Sequence, residues 1–202
     1  MDARYQIQND YHPQSGDALL IVDVQNDFLP GGSLAVARGD EVVPVLNRYI
    51  RSFQARQLPV YATRDWHPLQ HCSFTAQGGP WPPHCVANTA GAGFAAALQL
   101  PPATVVISKA NTIDADAYSG FQGTELDSEL YAAGIKRLFI GGLATDYCVY
   151  NTVRDALVLG YRVELLADAI RAVNIQPGDG LRAEEEMVKL GAHKISVESV
   201  VA

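Results

Sequence analysis

The chain has 202 residues, 48% of them hydrophobic and 18% charged, which is enough for one sizeable core. Its formal net charge of -7, with 15 lysines and arginines spread along the chain, argues against a nucleic-acid partner, which would require clustered basic residues. No apolar run approaches the roughly 20 residues that span a bilayer, and the polar N-terminus does not resemble a signal peptide. We therefore expect a cytoplasmic protein with a small, uncharged or weakly charged ligand.

The number of cysteines and the absence of repeats both indicate a single-domain protein with free thiols. The three cysteines are Cys72, Cys85 and Cys148, an odd and small number that suits free thiols in a reducing compartment. No repeat or flexible linker divides the chain. We predict a polar N-terminal extension over residues 1–17 and one domain over residues 18–202.

Short apolar, β-branched runs alternate with helical stretches along the chain. In order, the pattern predicts a strand at 18–24, a helix at 41–57, strands at 59–63 and 104–108, a helix at 125–133, a strand at 137–141, a helix at 146–159, a strand at 161–166, a helix at 181–190 and a strand at 193–197. Repeated strand–helix–strand units predict a single-domain, three-layer α/β/α fold with a six-stranded, mostly parallel sheet. Ligands of such folds bind at the carboxyl ends of the strands.

A long segment, residues 64–99, interrupts this rhythm with several prolines and glycines and no clear period. A loop of this length inside a compact domain is usually functional or disordered. Three of the five histidines, His67, His71 and His84, lie in it, which favours a functional loop.

Three chemically reactive residues follow three of the predicted strands. Asp23 lies at the end of the first strand, Lys109 follows the third, and Cys148 lies early in the helix after the fourth. A lysine and a helix N-terminus would lower the pKa of the thiol, and the carboxylate could accept its proton. A buried cysteine beside two solvated charges is the ordinary alternative for each residue alone. The position of all three at strand ends favours a catalytic group.

A second group lies in the long loop and offers metal-binding side chains. Asp65 and His67 are two residues apart in an extended segment, and His71 and His84 follow. One carboxylate and imidazole nitrogens are common ligands of Zn, Fe(II) or Mn. Two alternatives remain open: a closed structural zinc site that includes Cys72 and Cys85, although the short CxxC spacing is missing, and histidines that are merely hydrogen-bonded.

Aromatic residues and one tight turn lie near these groups. A planar heteroaromatic ring could stack on the aromatic side chains, although aromatics are also ordinary core residues; they are Phe28, Trp66, Trp81, Tyr118, Phe121 and Tyr147. The turn GGLATDYC, residues 141–148, presents the cysteine. Thr145 or Asp146 could cap the following helix, and backbone N–H groups near Ala144 and Cys148 could face an oxyanion.

These motifs together resemble the nicotinamidases of the isochorismatase-like hydrolase superfamily. The similarity covers nearly the whole chain after about residue 17, and six short stretches occur in the family's order: LLIVDVQNDFLPGGSL (19–34), YATRDWHPLQHCSF (61–74), WPPHCV (81–86), DAYSGF (116–121), GGLATDYCV (141–149) and DAIRAV (168–173). One departure is Ala110, where relatives often have glycine after the lysine. It leaves Lys109 in place and concerns only the geometry of the loop.

The resemblance implies hydrolysis of nicotinamide to nicotinate and ammonia through a cysteine thioester. In this chain Asp23 would be the general base, Cys148 the nucleophile and Lys109 the residue that stabilises both. One divalent metal ion, zinc in the first place and iron or manganese as alternatives, would be bound by Asp65, His67 and His84. His71 would lie in the metal shell either directly or through water.

The resemblance also implies how the substrate binds. The pocket would be lined by Phe28, Leu34, Trp81, Tyr118 and Tyr147. A cis peptide between Leu143 and Ala144 would help to form the oxyanion hole with the N–H groups of Ala144 and Cys148. Pyrazinamide, which differs from nicotinamide by one ring atom, should also fit.

Two other functions compete with this hypothesis. A different amidase or hydrolase on the same fold would have no need of a metal site that anchors a ring nitrogen. A non-catalytic binding protein would have no need of intact Asp23, Lys109 and Cys148. The expected partner is thus a small-molecule substrate, with no nucleic acid and no membrane, and the sequence is compatible with a homo-oligomer.

Overall fold

The computed structural model describes residues 11–201, so the first ten residues of the expected N-terminal extension lie outside the described part. Within it are six strands and five helices. The strands are β1 (Asp17–Val22), β2 (Val60–Asp65), β3 (Val105–Lys109), β4 (Arg137–Leu143), β5 (Arg162–Arg171) and β6 (His193–Ile195). The helices are α1 (Val42–Ala55), α2 (Leu126–Ala132), α3 (Tyr150–Val158), α4 (Asp179–Leu190) and α5 (Glu198–Val201). Across these residues, every helix is too short or too polar to cross a bilayer.

The strands form one sheet in the order β3-β2-β1-β4-β5-β6. Every neighbouring pair is parallel, so the sheet of the described chain is wholly parallel rather than mostly parallel. The chain leaves β1 toward one edge, through β2 and β3, and returns to β4 on the other side of β1. This reversal of direction creates a crevice at the carboxyl ends of β1 and β4, where ligands bind in such folds.

Helices cover both faces of the sheet, which confirms the three-layer α/β/α prediction. Alternate residues of β1 contribute to opposite faces because side chains alternate along a strand. Leu19 and Ile21 belong to the core under α1 and α5, while Leu20 belongs to the core under α2, α3 and α4. The continuous apolar run of β1 is thus the pattern of a strand buried on both faces.

Most element boundaries differ from the prediction by one or two residues, but four differences matter. The first strand ends at Val22 because Asp23 adopts a left-handed backbone, with φ of 48°. The predicted helix 146–159 is divided into a π-helical turn, Thr145–Val149, and α3. Strand β5 continues to Arg171 past a register shift against β4, and the short helix α5 was not predicted.

Candidate active site

Four reactive side chains meet at the carboxyl ends of the central strands. Asp23 directly follows β1, Asp65 is the last residue of β2 and Lys109 is the last residue of β3. Cys148 lies in the π-helical turn after β4. All four side chains are buried. The structure therefore brings together the three residues that the sequence placed at separate strand ends.

The ammonium of Lys109 is the centre of this group. Its Nζ atom lies 3.0 Å from Oδ2 of Asp23, 2.5 Å from Oδ1 of Asp65 and 3.5 Å from Sγ of Cys148. It also donates a hydrogen bond of 3.0 Å to the carbonyl of Ala117. The hydroxyl of Thr63 donates to Oδ1 of Asp23 over 2.6 Å. One cation thus balances two buried carboxylates beside the thiol.

The expected lowering of the thiol pKa was wrong. Burial raises the pKa of Cys148 well above its ordinary value, Lys109 opposes this only in part, and the charges of Asp23 and Asp65 raise it further. Burial also raises the pKa of Asp23, against the attraction of Lys109. The thiol is therefore protonated at neutral pH, and the adjacent carboxyl group is the natural acceptor of its proton.

The pKa values of Asp65 and Lys109 are shifted so that both side chains stay charged. Burial acts to raise the pKa of Asp65, but the positive charge of Lys109 outweighs it and holds this pKa far below the ordinary value. Burial acts to lower the pKa of Lys109, but the two carboxylates raise it well above the ordinary value. Asp65 and Lys109 form a permanent ion pair, while Asp23 retains the capacity to exchange a proton.

Asp65, His67 and His84 form a group that could bind a metal ion. Their donor atoms lie within 4.8 Å of one another, and Oδ2 of Asp65 is 3.6 Å from Nε2 of His67 and 4.0 Å from Nε2 of His84. Nδ1 of His67 lies 3.1 Å from the carbonyl of Ala110, and Nδ1 of His84 lies 2.8 Å from the carbonyl of Pro82. These contacts place the ring protons on Nδ1 and leave both Nε2 lone pairs directed toward Asp65.

One atom of this group lacks a partner within the described residues. Nε2 of His67 is buried without a hydrogen bond. Buried polar atoms almost always have a partner, so this atom calls for a ligand. Burial also lowers the pKa of His84, which keeps its imidazole neutral as metal binding requires. The donor set and the lone atom both fit a divalent metal ion.

His71 lies behind His67 rather than beside the donor group. The two imidazoles stack with centroids 4.2 Å apart. Both ring nitrogens of His71 are engaged, Nδ1 at 2.8 Å from the hydroxyl of Ser73 and Nε2 at 3.2 Å from the carbonyl of Ala115. Across residues 11–201, neither Cys72 nor Cys85 belongs to a cluster of metal-binding side chains, which disfavours the closed Cys2His2 alternative.

The turn before Cys148 has a specific geometry. The peptide between Leu143 and Ala144 is cis, as the resemblance implies. The expected helix cap was wrong, because in the described chain no side chain caps the turn Thr145–Val149. Instead, the carboxylate of Asp146 accepts hydrogen bonds from the backbone N–H groups of Val173 and Asn174, at 2.9 and 2.8 Å. Asp146 therefore ties the cysteine turn to the segment after β5.

A small cavity with mainly apolar walls opens above the thiol. Cys148, Ala144, Asp65 and His84 contribute to its lining. All five predicted substrate-binding residues line it too, together with two residues that the sequence did not indicate; the lining includes Phe28, Leu34, Trp81, Tyr118, Tyr147, Val36 and Val173.

The aromatic wall of the cavity is held by direct contacts. Nε1 of Trp81 donates to the hydroxyl of Tyr118 over 2.9 Å, and Trp81 packs edge-on against Tyr147 with centroids 5.1 Å apart. Two of the aromatics that the sequence grouped here lie elsewhere. Trp66 packs under the guanidinium of Arg64, and Phe121 stacks on Tyr161.

Two further residues of the site were missed by sequence reasoning. Thr63, which contacts Asp23, precedes Asp65 by two residues in β2, so strand alternation could have placed it on the same face. Gln25 is fully buried, and its side chain hydrogen-bonds to the backbone of Asp65. A lone glutamine carries no chemical signal of its own.

Comparisons with known proteins agree with this geometry. Residues 17–199 match the isochorismatase domain family. The nicotinamidase of Escherichia coli (strain K12) is 44% identical over 196 residues, which cover 87% of this chain and 92% of that protein. A pyrazinamidase of Pyrococcus horikoshii, solved in complex with zinc, is 49% identical with a TM-score of 0.86, over 90% of this chain and 99% of its own. A protein of L. infantum solved with nicotinate is 37% identical with a TM-score of 0.87, over 95% and 98% of the two chains.

Proposed function

Because this chain belongs to the isochorismatase domain family, we propose that it is a nicotinamidase, which hydrolyses nicotinamide to nicotinate and ammonia. One observation carries the proposal: the buried thiol of Cys148 borders the same small aromatic cavity as Asp65 and His84 of the metal-binding group. A thiol can attack an amide carbon, and a metal ion bound by these side chains would hold a ring nitrogen. Nicotinamide has both an amide group and a ring nitrogen in one planar molecule.

Asp65, His67 and His84 would hold the metal ion. Their carboxylate and imidazole donors suit zinc first, and iron or manganese with the same ligand types. When bound, the ion would anchor the pyridine nitrogen and so orient the ring. His71 supports this site from behind, through its stacking on His67.

The chain's own residues carry the first chemical step. The Cys148 proton passes to the carboxylate of Asp23, and Lys109, within 3.5 Å of both groups, stabilises the thiolate. The sulfur attacks the amide carbon and forms the C–S bond, while the carbonyl π electrons move to the oxygen. The backbone N–H groups of Ala144 and Cys148 would stabilise that oxyanion, and loss of such donors costs about 3 kcal/mol in the barrier.

The second step releases ammonia and regenerates the enzyme. The intermediate collapses, the C–N bond breaks, and the protonated Asp23 gives its proton to the departing nitrogen. A thioester with Cys148 remains. Water, deprotonated by Asp23, attacks the thioester carbon, the C–S bond breaks, and the proton passes from Asp23 to the thiolate. The nicotinic acid formed releases its remaining carboxyl proton to solvent and leaves as nicotinate.

The cavity supports a flat, mainly apolar ring as the substrate. Phe28, Leu34, Trp81, Tyr118 and Tyr147 provide the walls. A ring nitrogen in place of one C–H group changes neither the flatness nor the size of the substrate, so pyrazinamide is a second substrate.

Release of ammonia from nicotinamide by the zinc-loaded protein tests this function. We expect turnover by the wild type and none above background by Cys148→Ala or after treatment with a chelator. Cys72→Ser serves as the matched control, because this half-buried thiol does not line the cavity, and it should retain wild-type activity. A metal-loaded wild type that releases no ammonia would overturn the proposal.

A further inference from the structure

Strand β1 leaves the sheet just before it would reach Asp65. In the register of β1 and β2, Ile21 is opposite Ala62, so continued pairing would put Val24 opposite Asp65. Instead, Asp23 adopts a φ of 48°, and the N–H of Gln25 donates back to the carbonyl of Asp23 over 2.9 Å. This tight turn directs Asp23 into the catalytic group. It also removes the β1 backbone from the neighbourhood of Asp65.

The side chain of Gln25 takes the place of that missing backbone. Its Oε1 atom accepts a hydrogen bond of 2.8 Å from the N–H of Asp65, and its Nε2 atom donates one of 2.8 Å to the carbonyl of the same residue. A carboxamide has the same donor and acceptor as a peptide group. Gln25 therefore completes, for one residue, the ladder that β1 has left.

Nε2 of Gln25 makes a second contact, with the carbonyl of Ala92 at 2.9 Å. The segment around Ala92 docks on the same turn, since Asn26 donates to the carbonyl of Ala90 and the N–H of Ala95 donates to the carbonyl of Val24. The buried Gln25 carboxamide thus forms three hydrogen bonds with backbone groups, and two of them are to Asp65.

We propose that Gln25 is a positioning residue for the metal site, an inference that rests on the proposed function. By holding both backbone polar groups of Asp65, it fixes the direction of the carboxylate. Oδ1 then faces Lys109, and Oδ2 faces the imidazoles of His67 and His84. The single turn from Asp23 to Gln25 therefore determines the positions of both the general base, Asp23, and the metal-binding carboxylate, Asp65.

Zinc affinity, measured by competition with a chromophoric chelator, tests this role. Groups that orient metal ligands typically contribute 10–100-fold to affinity. We expect Gln25→Met to bind zinc at least about 10-fold more weakly than the wild type. Its Co²⁺-loaded form should have a visible absorption spectrum different from that of the wild type, because the coordination geometry changes. Gln25→Glu, which keeps one acceptor oxygen, provides a second variant if Gln25→Met does not fold.

Two controls separate positioning from general stability. Asn26→Ala removes a hydrogen bond to the same docked segment without touching Asp65, and Ile50→Ala weakens the remote core under α1. Both should keep wild-type zinc affinity and the wild-type Co²⁺ spectrum. Wild-type affinity in the Gln25 variants, or an equal loss in Ile50→Ala, would overturn the inference. A wild type that binds zinc without hydrolysing nicotinamide would instead refute the proposed function, while the affinities would still decide the role of Gln25.

Discussion

The Nζ atom of Lys109 lies 3.5 Å from the Sγ atom of Cys148, although Lys109 ends β3, Cys148 follows β4, and β2 and β1 lie between these two strands. Neighbouring strands are about 4.8 Å apart, so β3 and β4 lie on the order of 14 Å from each other in the sheet. The extended side chain of Lys109 bridges part of this gap, and its ammonium contacts the carboxylates of Asp65 and Asp23. The buried charge of Lys109 therefore stabilises the folded protein by neutralising two carboxylates, and it also stabilises the reactive thiolate.

Substitution Lys109→Met should destabilise the metal-free protein by about 3–5 kcal/mol at pH 7, because Asp23 and Asp65 remain buried without a counter-charge. In the wild type the lowered pKa of Asp65 contributes stability at neutral pH that is lost as the pH falls through this pKa. In the variant both carboxyl pKa values rise above their unfolded values, so protonation on acidification favours folding. Urea unfolding should show the difference between the two proteins shrinking from pH 7 to pH 5.

The surface variant Lys194→Met is the control for this prediction. Lys194 pairs with Glu184 at a partly exposed position, where ion pairs contribute about 1 kcal/mol or less. An equal loss of stability in the two variants would contradict the central role of Lys109 in the buried charge balance.

Substitution Thr63→Val should shift the acid limb of kcat/KM to higher pH. Activity requires the Asp23 carboxylate, whose pKa burial already raises, and the hydrogen bond from Thr63 favours the charged form. Loss of a hydrogen bond to a charged group costs about 1.5–3 kcal/mol, so we expect about a 10–100-fold lower rate on the acid side. The control Thr124→Val, which loses a hydrogen bond to the carbonyl of Gly120, should leave the pH profile unchanged.

Zinc should raise the melting temperature of the wild type and of His71→Asn, but not that of His84→Ala. Zinc at 100 times its dissociation constant stabilises a folded protein by about 2.7 kcal/mol, or roughly 5–10 °C for a chain of this size. His84 belongs to the donor group, whereas both nitrogens of His71 are already hydrogen-bonded. Differential scanning calorimetry with and without zinc measures the shift. Loss of the shift in His71→Asn would make His71 a direct ligand.

Substitution Ala110→Gly should stabilise the protein. Ala110 has a φ of 49°, a left-handed conformation that costs a non-glycine residue about 1–2 kcal/mol, while the added flexibility of the unfolded chain offsets about 0.4–1 kcal/mol. We expect a net gain of up to about 1.5 kcal/mol in urea unfolding. In the matched control Ala132→Gly, at an exposed position of α2, the change should be a loss of about 1 kcal/mol. If both variants changed the free energy of unfolding in the same direction, the argument from the φ of Ala110 would be contradicted.

Sequence patterns predicted the sheet and the meeting of Asp23, Lys109 and Cys148, because buried parallel strands have long apolar runs and their carboxyl ends share one edge. The positions of His84 and Trp81 depend on an irregular loop, which has no period from which to predict it. These two residues were assigned through motif resemblance instead.

The remaining errors have a common physical cause. The pKa of Cys148 depends on how far the thiol is buried, and burial depends on the packing of distant segments. Gln25 and Asp146 act through backbone groups of residues remote in sequence, at Asp65 and Val173 respectively. Contacts of this kind follow from the tertiary structure and not from a local pattern.

The turn from Asp23 to Gln25 also constrains how substrate preference can be altered. The cysteine, lysine and general base all lie at the ends of regular elements, whereas Trp81 and His84 lie in the irregular segment between β2 and β3. That segment is held by hydrogen bonds from the backbone N–H groups of Asn26 and Asp27, which directly follow the turn, to the carbonyls of Gly93 and Gly91. A library confined to residues 77–82 would leave these contacts, His71 and His84 in place and would vary Trp81 beside an unchanged hydrolytic centre.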